Sequence, residues 1–199
     1  MDKTALRHAW EALHHASAAH SAIVHAKSFG EVEREWGRFL NAANRIFSKL
    51  EKGSKDHGQA EPWFGRAIHD RRTDQLLRYV HHARNADEHG IKDITTRNAS
   101  SITVSGGGFS AEYIKGEADG SISFEGVKSL NPDNPAVFEY DAPTVKLVTV
   151  FDDRFKGDSF DPPSEHLGQP LESGSIFEVT ALTLKYLDGL VRDGSKFAK

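Results

Sequence analysis

Cysteine is absent from the 199-residue chain. Its absence excludes disulfides, thiolate metal centres and a cysteine nucleophile, and it suits a reducing cytoplasm. Long apolar runs are missing as well. No stretch approaches the roughly 18 consecutive apolar residues that a membrane span needs, and the N-terminus lacks the basic-then-apolar order of a secretory signal. The expectation is a cytoplasmic protein without a membrane partner. No single sign of charge dominates: 25 Lys and Arg stand against 29 Asp and Glu. A protein that coats nucleic acid uniformly is basic throughout, and this one is not.

What charge there is lies unevenly. Residues 1–98 hold 16 Lys and Arg against 13 Asp and Glu, residues 99–199 hold 9 against 16, and ten of the eleven histidines fall in the first part. RNA contact is therefore expected only locally, and with a steep salt dependence. The acidic β region is a candidate surface for a protein partner. Length and composition (38% hydrophobic, 27% charged) fit one large soluble domain or two small ones.

Apolar residues recur at helical spacing through the first 90 positions. Leu6, Trp10, Leu13 and Ile23 predict a helix from about Lys3 to Ala26, broken by Gly30. Val32, Trp36, Phe39, Ile46 and Leu50 predict a second helix over Glu31 to Lys52. After a polar loop ending in Pro62, a third helical region runs from Trp63 to Glu88, interrupted near Asp70.

The character then changes. Ile102-Thr103-Val104, Ser110 to Ile114, Ser121 to Phe124 and Thr144 to Val150 read as strands. Gly106-Gly107-Gly108 and Asp119-Gly120 read as hairpin turns, and Asp152 to Ser175 as irregular chain. A last helix spans Ile176 to Val191. The fold class expected is α+β, mainly a helical bundle of three N-terminal helices and the C-terminal helix, with a small antiparallel β-sheet inserted before the last helix. The divisions expected are 1–98, 99–175 and 176–199, the last segment completing the bundle. The rival topology is a helical domain followed by a separate α+β domain.

One motif carries specific chemistry. Arg84-Asn85-Ala86-Asp87-Glu88-His89-Gly90 closes the third helical region. Arginine is a permanent, planar phosphate binder and histidine moves protons near neutral pH. Gly90 suits a helix C-terminus, whose dipole favours a cationic His89. Arg84 with His89 after four intervening residues, and the polar Asn85 directly after the arginine, resembles the HEPN family of helical bundles. The resemblance covers residues 1–95 and the last helix.

It implies a dimeric, metal-independent ribonuclease or RNA-associated regulator, in toxin–antitoxin or phage-defence settings, that uses no cofactor. The ribose 2′-hydroxyl would attack phosphorus, leaving a cyclic phosphate and a free 5′-hydroxyl. Arg84 would stabilise the phosphate charge, His89 would act as general acid or base, and Asn85 would position one of them. Arg71, Arg72 and Arg78, with Arg66 and the aromatic Trp63 and Phe64 nearby, form a candidate RNA-facing surface.

Other readings stay open at this stage. Arg84 can pair with Asp87 or Glu88 one turn on, with His89 merely capping the helix, in a non-catalytic dimeric interaction module. A metal-dependent hydrolase would draw ligands from His81, His82, His89 and the Glu11/His14 pair. A Ser–His–Asp hydrolase would need Ser164, His166 and the Asp152-Asp153 pair to converge. Failing that, His166 anchors its loop through a backbone hydrogen bond. The glycine triplet lacks the lysine and following helix of a phosphate loop.

Overall fold

The computed structural model describes residues 1–99, 101–116, 122–141, 143–152 and 158–198. Among these residues lie five helices: α1 (Lys3–Val24), α2 (Phe29–Ser54), α3 (Ala60–Thr73), α4 (Gln75–His89) and α5 (Ile176–Ser195). Helical bundle, antiparallel β-hairpins and C-terminal helix together make the α+β architecture that the patterning predicts. The chain divides into two compact units, Met1–Thr96 with Lys146–Lys199, and Arg97–Val145. The last helix therefore folds with the N-terminal ones and packs on α1 and α2.

Local chemistry sets the helix ends. Ser28 caps α2 by accepting from the Glu31 N–H at 3.2 Å, while Glu31 accepts from the Lys27 N–H at 2.7 Å. That reciprocal cap carries the helix through Gly30, expected to be a breaker, because first-turn amides need no helical partner. Pro62 sits in the first turn of α3, not in a loop, for the same reason. The break between α3 and α4 falls at Asp74, four residues beyond the expected place. Its carboxylate caps α4 through the Leu77 N–H at 2.9 Å.

Small residues let the first two helices approach. The buried stripe of α1 is Leu6, Ala9, Ala12, Leu13, Ala16, Ala19 and Ile23. Trp10, expected on that stripe, is half-buried and lies under the Arg192 guanidinium instead. At Gly53 a Cβ would fall 2.6 Å from the Ala5 Cβ and 2.9 Å from the Met1 Sδ. The core is built from Trp36, Phe39, Leu40, Ile46, Leu76, Leu77, Val179 and Leu187, all essentially closed to solvent.

In the second unit the expected sheet takes the form of nested ribbons. In chain order its strands are β1 (Thr95–Asn98), β2 (Ser101–Ser105), β3 (Phe109–Ser110), β4 (Tyr113–Gly116), β5 (Ile122–Glu125), β6 (Lys128–Ser129), β7 (Val137–Asp141) and β8 (Thr144–Leu147), of which β1 and β8 straddle the boundary of the unit. They pair β4 with β5, β3 with β6, β2 with β7 and β1 with β8. The register runs from Gly116 opposite Ile122 to Ser101 opposite Asp141. This is one long broken hairpin, only two strands wide.

Gly106-Gly107-Gly108 is consequently not a hairpin turn. It links strands with different partners, with Gly106 and Gly108 at φ +94° and +82°, and the Gly107 N–H donates to the Asn134 carbonyl at 2.9 Å. Phe109, Phe124 and Phe138 supply the hairpin's apolar cluster, with ring centroids 4.7–5.9 Å apart. The Asp119-Gly120 turn and Ser121 lie outside the described residues, as do Asp153 and Arg154.

Strand β9 (Val150–Phe151) precedes the stretch expected to be irregular, Asp152 to Ser175, which holds β10 (Ser159–Phe160), β11 (Glu165–His166) and β12 (Gln169–Pro170). They form two small antiparallel pairings within the helical unit, β9 with β10 and β11 with β12. No helix among the described residues is long and apolar enough to cross a membrane.

Candidate functional site

Helix α4 presents two different faces. Leu76, Leu77, Tyr79, Val80, Ala83 and Ala86 are buried. The Tyr79 hydroxyl donates to the Val148 carbonyl at 2.8 Å, and burial pushes that phenol well above its ordinary value despite this bond. Arg84 lies at the edge of the buried stripe, its side chain 18% exposed. Its Nη2 pairs with Glu88 Oε2 at 2.6 Å, and its Nε donates to the Asn41 Oδ1 of α2 at 3.3 Å. Burial first, and then the Glu88 carboxylate, push neighbouring Asp87 up against the pull of Arg84.

His89 is the last residue of α4 and is exposed. Gly90 follows with φ −85°, so no left-handed cap is formed. Glycine is needed there for space: a Cβ would fall 2.6 Å from the Ala86 carbonyl oxygen, the acceptor of the Gly90 N–H at 2.8 Å. His89 lies five positions beyond Arg84, about 140° around a regular helix. The two side chains thus share one helix end without sharing one face.

Asn85 turns inward. It is 2% exposed, and its Nδ2 donates to Asp152 Oδ2 at 2.7 Å. The same carboxylate oxygen meets His82 Nδ1 at 3.0 Å, while the imidazole stacks on Phe160 with centroids 3.5 Å apart. Burial lowers the His82 pKa, and the opposing pull of Asp152 is the smaller effect. The imidazole thus donates from Nδ1 to a buried carboxylate, and burial favours its neutral form. The His82–Asn85–Asp152 cluster holds α4 against the β9–β10 hairpin. The i, i+3 spacing of His82 and Asn85 was the only sign of it in the sequence, because Asp152 lies 67 residues beyond Asn85.

The remaining arginines divide. Arg71 lies over the Phe47 ring at 4.7 Å, and burial lowers its pKa. Arg72 and Arg78 are exposed. A second basic surface, absent from the sequence-based expectations, surrounds Asn41. Between α1 and α2 runs a groove of about 610 Å³ whose lining includes His15, Ala18, Ala22, Arg38, Asn41 and Arg45. Arg38 is tied to the buried Glu35 at 2.8 Å. Asn41 thus connects Arg84 to this groove.

Among the described residues no three His, Cys, Asp or Glu side chains stand together as metal ligands. Ser164 and His166 do not converge on Asp152. The Ser164 hydroxyl donates to Gln75 Oε1 at 3.0 Å, and His166 Nδ1 lies 3.0 Å from Asp74 Oδ1. The anchor of the His166 loop is therefore a side-chain contact rather than the expected backbone hydrogen bond. No protein-family model, curated protein or solved structure matches the chain.

Proposed function

We propose that this chain is an RNA-associated, HEPN-like protein that acts through Arg84 and His89 without a metal ion, in the cytoplasm. The observation that carries this reading is Arg84 at the surface of the last turns of α4, bridged by Asn41 to the basic α1–α2 groove, with exposed His89 at the same helix end. Arg84 binds a backbone phosphate and spreads its developing charge. His89 takes the 2′-hydroxyl proton or returns one to the 5′-oxygen. A second copy of the chain supplies the facing half of the site. Asn85 supports α4 from within, through Asp152, and so acts on the site at one remove.

The test is digestion of total cellular RNA in EDTA by wild type, Arg84→Ala and His89→Ala, with the oligomeric state measured alongside. Cleavage by a wild-type dimer and not by either variant supports the reading. Failure of the wild type to cleave overturns its catalytic part.

A specific observation favours a second reading. Glu88 already occupies the Arg84 guanidinium, and Asn85 is withdrawn into the core. In that reading the helices form a non-catalytic dimeric module that binds a protein partner. RNA-independent dimerisation without cleavage, unaffected by Arg84→Ala, would select it.

A further inference from the structure

A cleft of about 850 Å³ lies away from the Arg84 motif. Its lining comes from α3, α5 and the β11–β12 hairpin. That volume lies within the range of small-molecule sites. We propose that it binds a small amphipathic organic monoanion, with its head on Arg66 and Lys185 and its body against Leu167, Leu182 and the edge of Trp63.

The head-group assignment comes from hydrogen-bonding capacity. Arg66 and Lys185 are exposed in the lining, and neither makes a hydrogen bond or ion pair among the described residues. Between them they offer eight N–H donors. The acidic lining residues are largely engaged. Asp70 accepts from the Tyr186 hydroxyl at 3.1 Å, Asp193 pairs with Lys196 at 2.6 Å, and Glu178 accepts from the Glu172, Ser173 and Gly174 N–H groups. Among the described residues of the lining, Arg66 and Lys185 are the cations left open and Glu172 the one open carboxylate, so an occupant with a single acceptor-bearing head group meets donors at Arg66 and Lys185. These carboxylates, together with Glu172, keep the cleft unfavourable to a polyanion. A nucleic-acid backbone is therefore not its occupant, and the cleft is independent of the RNA reading.

Leu167 gives the second, independent observation. It has φ +49° and precedes Gly168 at φ +75°. A leucine is strained in that conformation, which asparagine, aspartate or glycine adopts readily. The residue is nevertheless 57% exposed, so core packing does not explain the choice. Asp74 holds the turn, accepting from the Leu167 N–H at 2.6 Å and lying 3.0 Å from His166 Nδ1. The strained turn places an apolar side chain in the lining of the cleft, as a site with an apolar ligand requires.

The experiment compares two fluorescent probes that share one aromatic body: 1-anilinonaphthalene-8-sulfonate and its neutral parent N-phenyl-1-naphthylamine. Each is titrated into the full chain, the Arg66→Ala/Lys185→Ala double variant and Leu167→Asn. The sulfonate is expected to bind wild type at least ~10-fold more tightly than the neutral parent, and the double variant to erase that preference. Leu167→Asn is expected to raise the unfolding midpoint while weakening both probes. Equal affinity for the two probes, a preference that survives in the double variant, or unchanged binding in Leu167→Asn would each overturn the proposal.

Discussion

Replacing Asp152 tests the cluster that fixes the inner side of α4. The carboxylate is 2% exposed, and its Oδ2 receives both Asn85 Nδ2 at 2.7 Å and His82 Nδ1 at 3.0 Å. Asp152→Ala leaves two buried donors without this acceptor. Each stranded donor costs about 1–3 kcal/mol, so the loss is roughly 2–6 kcal/mol in unfolding free energy. Asp152→Asn keeps a carbonyl oxygen at the position where both donors converge and loses only the charge. Its cost is about 1 kcal/mol. Urea unfolding followed by far-ultraviolet circular dichroism reads the helical unit directly. A loss under about 0.5 kcal/mol for Asp152→Ala, or an equal loss in the two variants, would refute the reasoning.

Three further outcomes follow from individual contacts. Burial lowers the pKa of His82 and of His20, the latter 2.8 Å from the Thr180 hydroxyl. The unfolded chain therefore takes up protons first as the pH falls. Stability is at its full value above the ordinary histidine pKa of about 6.5 and declines below it, which unfolding at about pH 7.5 and about pH 5.5 will show, with a shallower decline in His20→Gln. Gly53→Val drives a branched side chain into Ala5 and Met1 and should cost about 1–3 kcal/mol by the same urea assay. Glu88→Gln releases a half-exposed, surface-type ion pair, so stability changes by less than about 1 kcal/mol. On the RNA reading, the same change raises affinity for single-stranded RNA in a low-salt filter-binding assay.

The helices were legible in the sequence because each buries a stripe at a 3.6-residue period, and α2 and α5 carry Ser-x-x-Glu caps that mark their starts. The α3–α4 break was harder to place. Asp70 and Asp74 are both plausible caps, but Asp70 lies inside α3 and accepts from the Tyr186 hydroxyl, while Asp74 accepts from the Leu77 N–H. The strands of the second unit were legible as well, but their pairing was not. A ribbon two strands wide buries little on either face, so nothing in the pattern names each strand's partner. Exposed Val104, Tyr113, Ile114 and Val137 are the consequence.

At the candidate site, Arg84 and His89 were visible as residue types at a helix end. The partners that decide their chemistry were partly visible. Glu88 lies one turn away and was foreseeable. Asn41 comes from another helix, and Asp152 reaches Asn85 only through the fold. His166 shows the same limit: its partner Asp74 lies 92 residues earlier and belongs to the break between α3 and α4.

The most direct measurement of the central claim is end-group analysis of a defined single-stranded RNA incubated with the protein in EDTA. Products ending in a 2′,3′-cyclic phosphate and a 5′-hydroxyl, made by wild type and lost in both Arg84→Ala and His89→Ala, are the predicted result. Intact RNA with wild type at high protein concentration, or cleavage by either variant at the wild-type level, would contradict it.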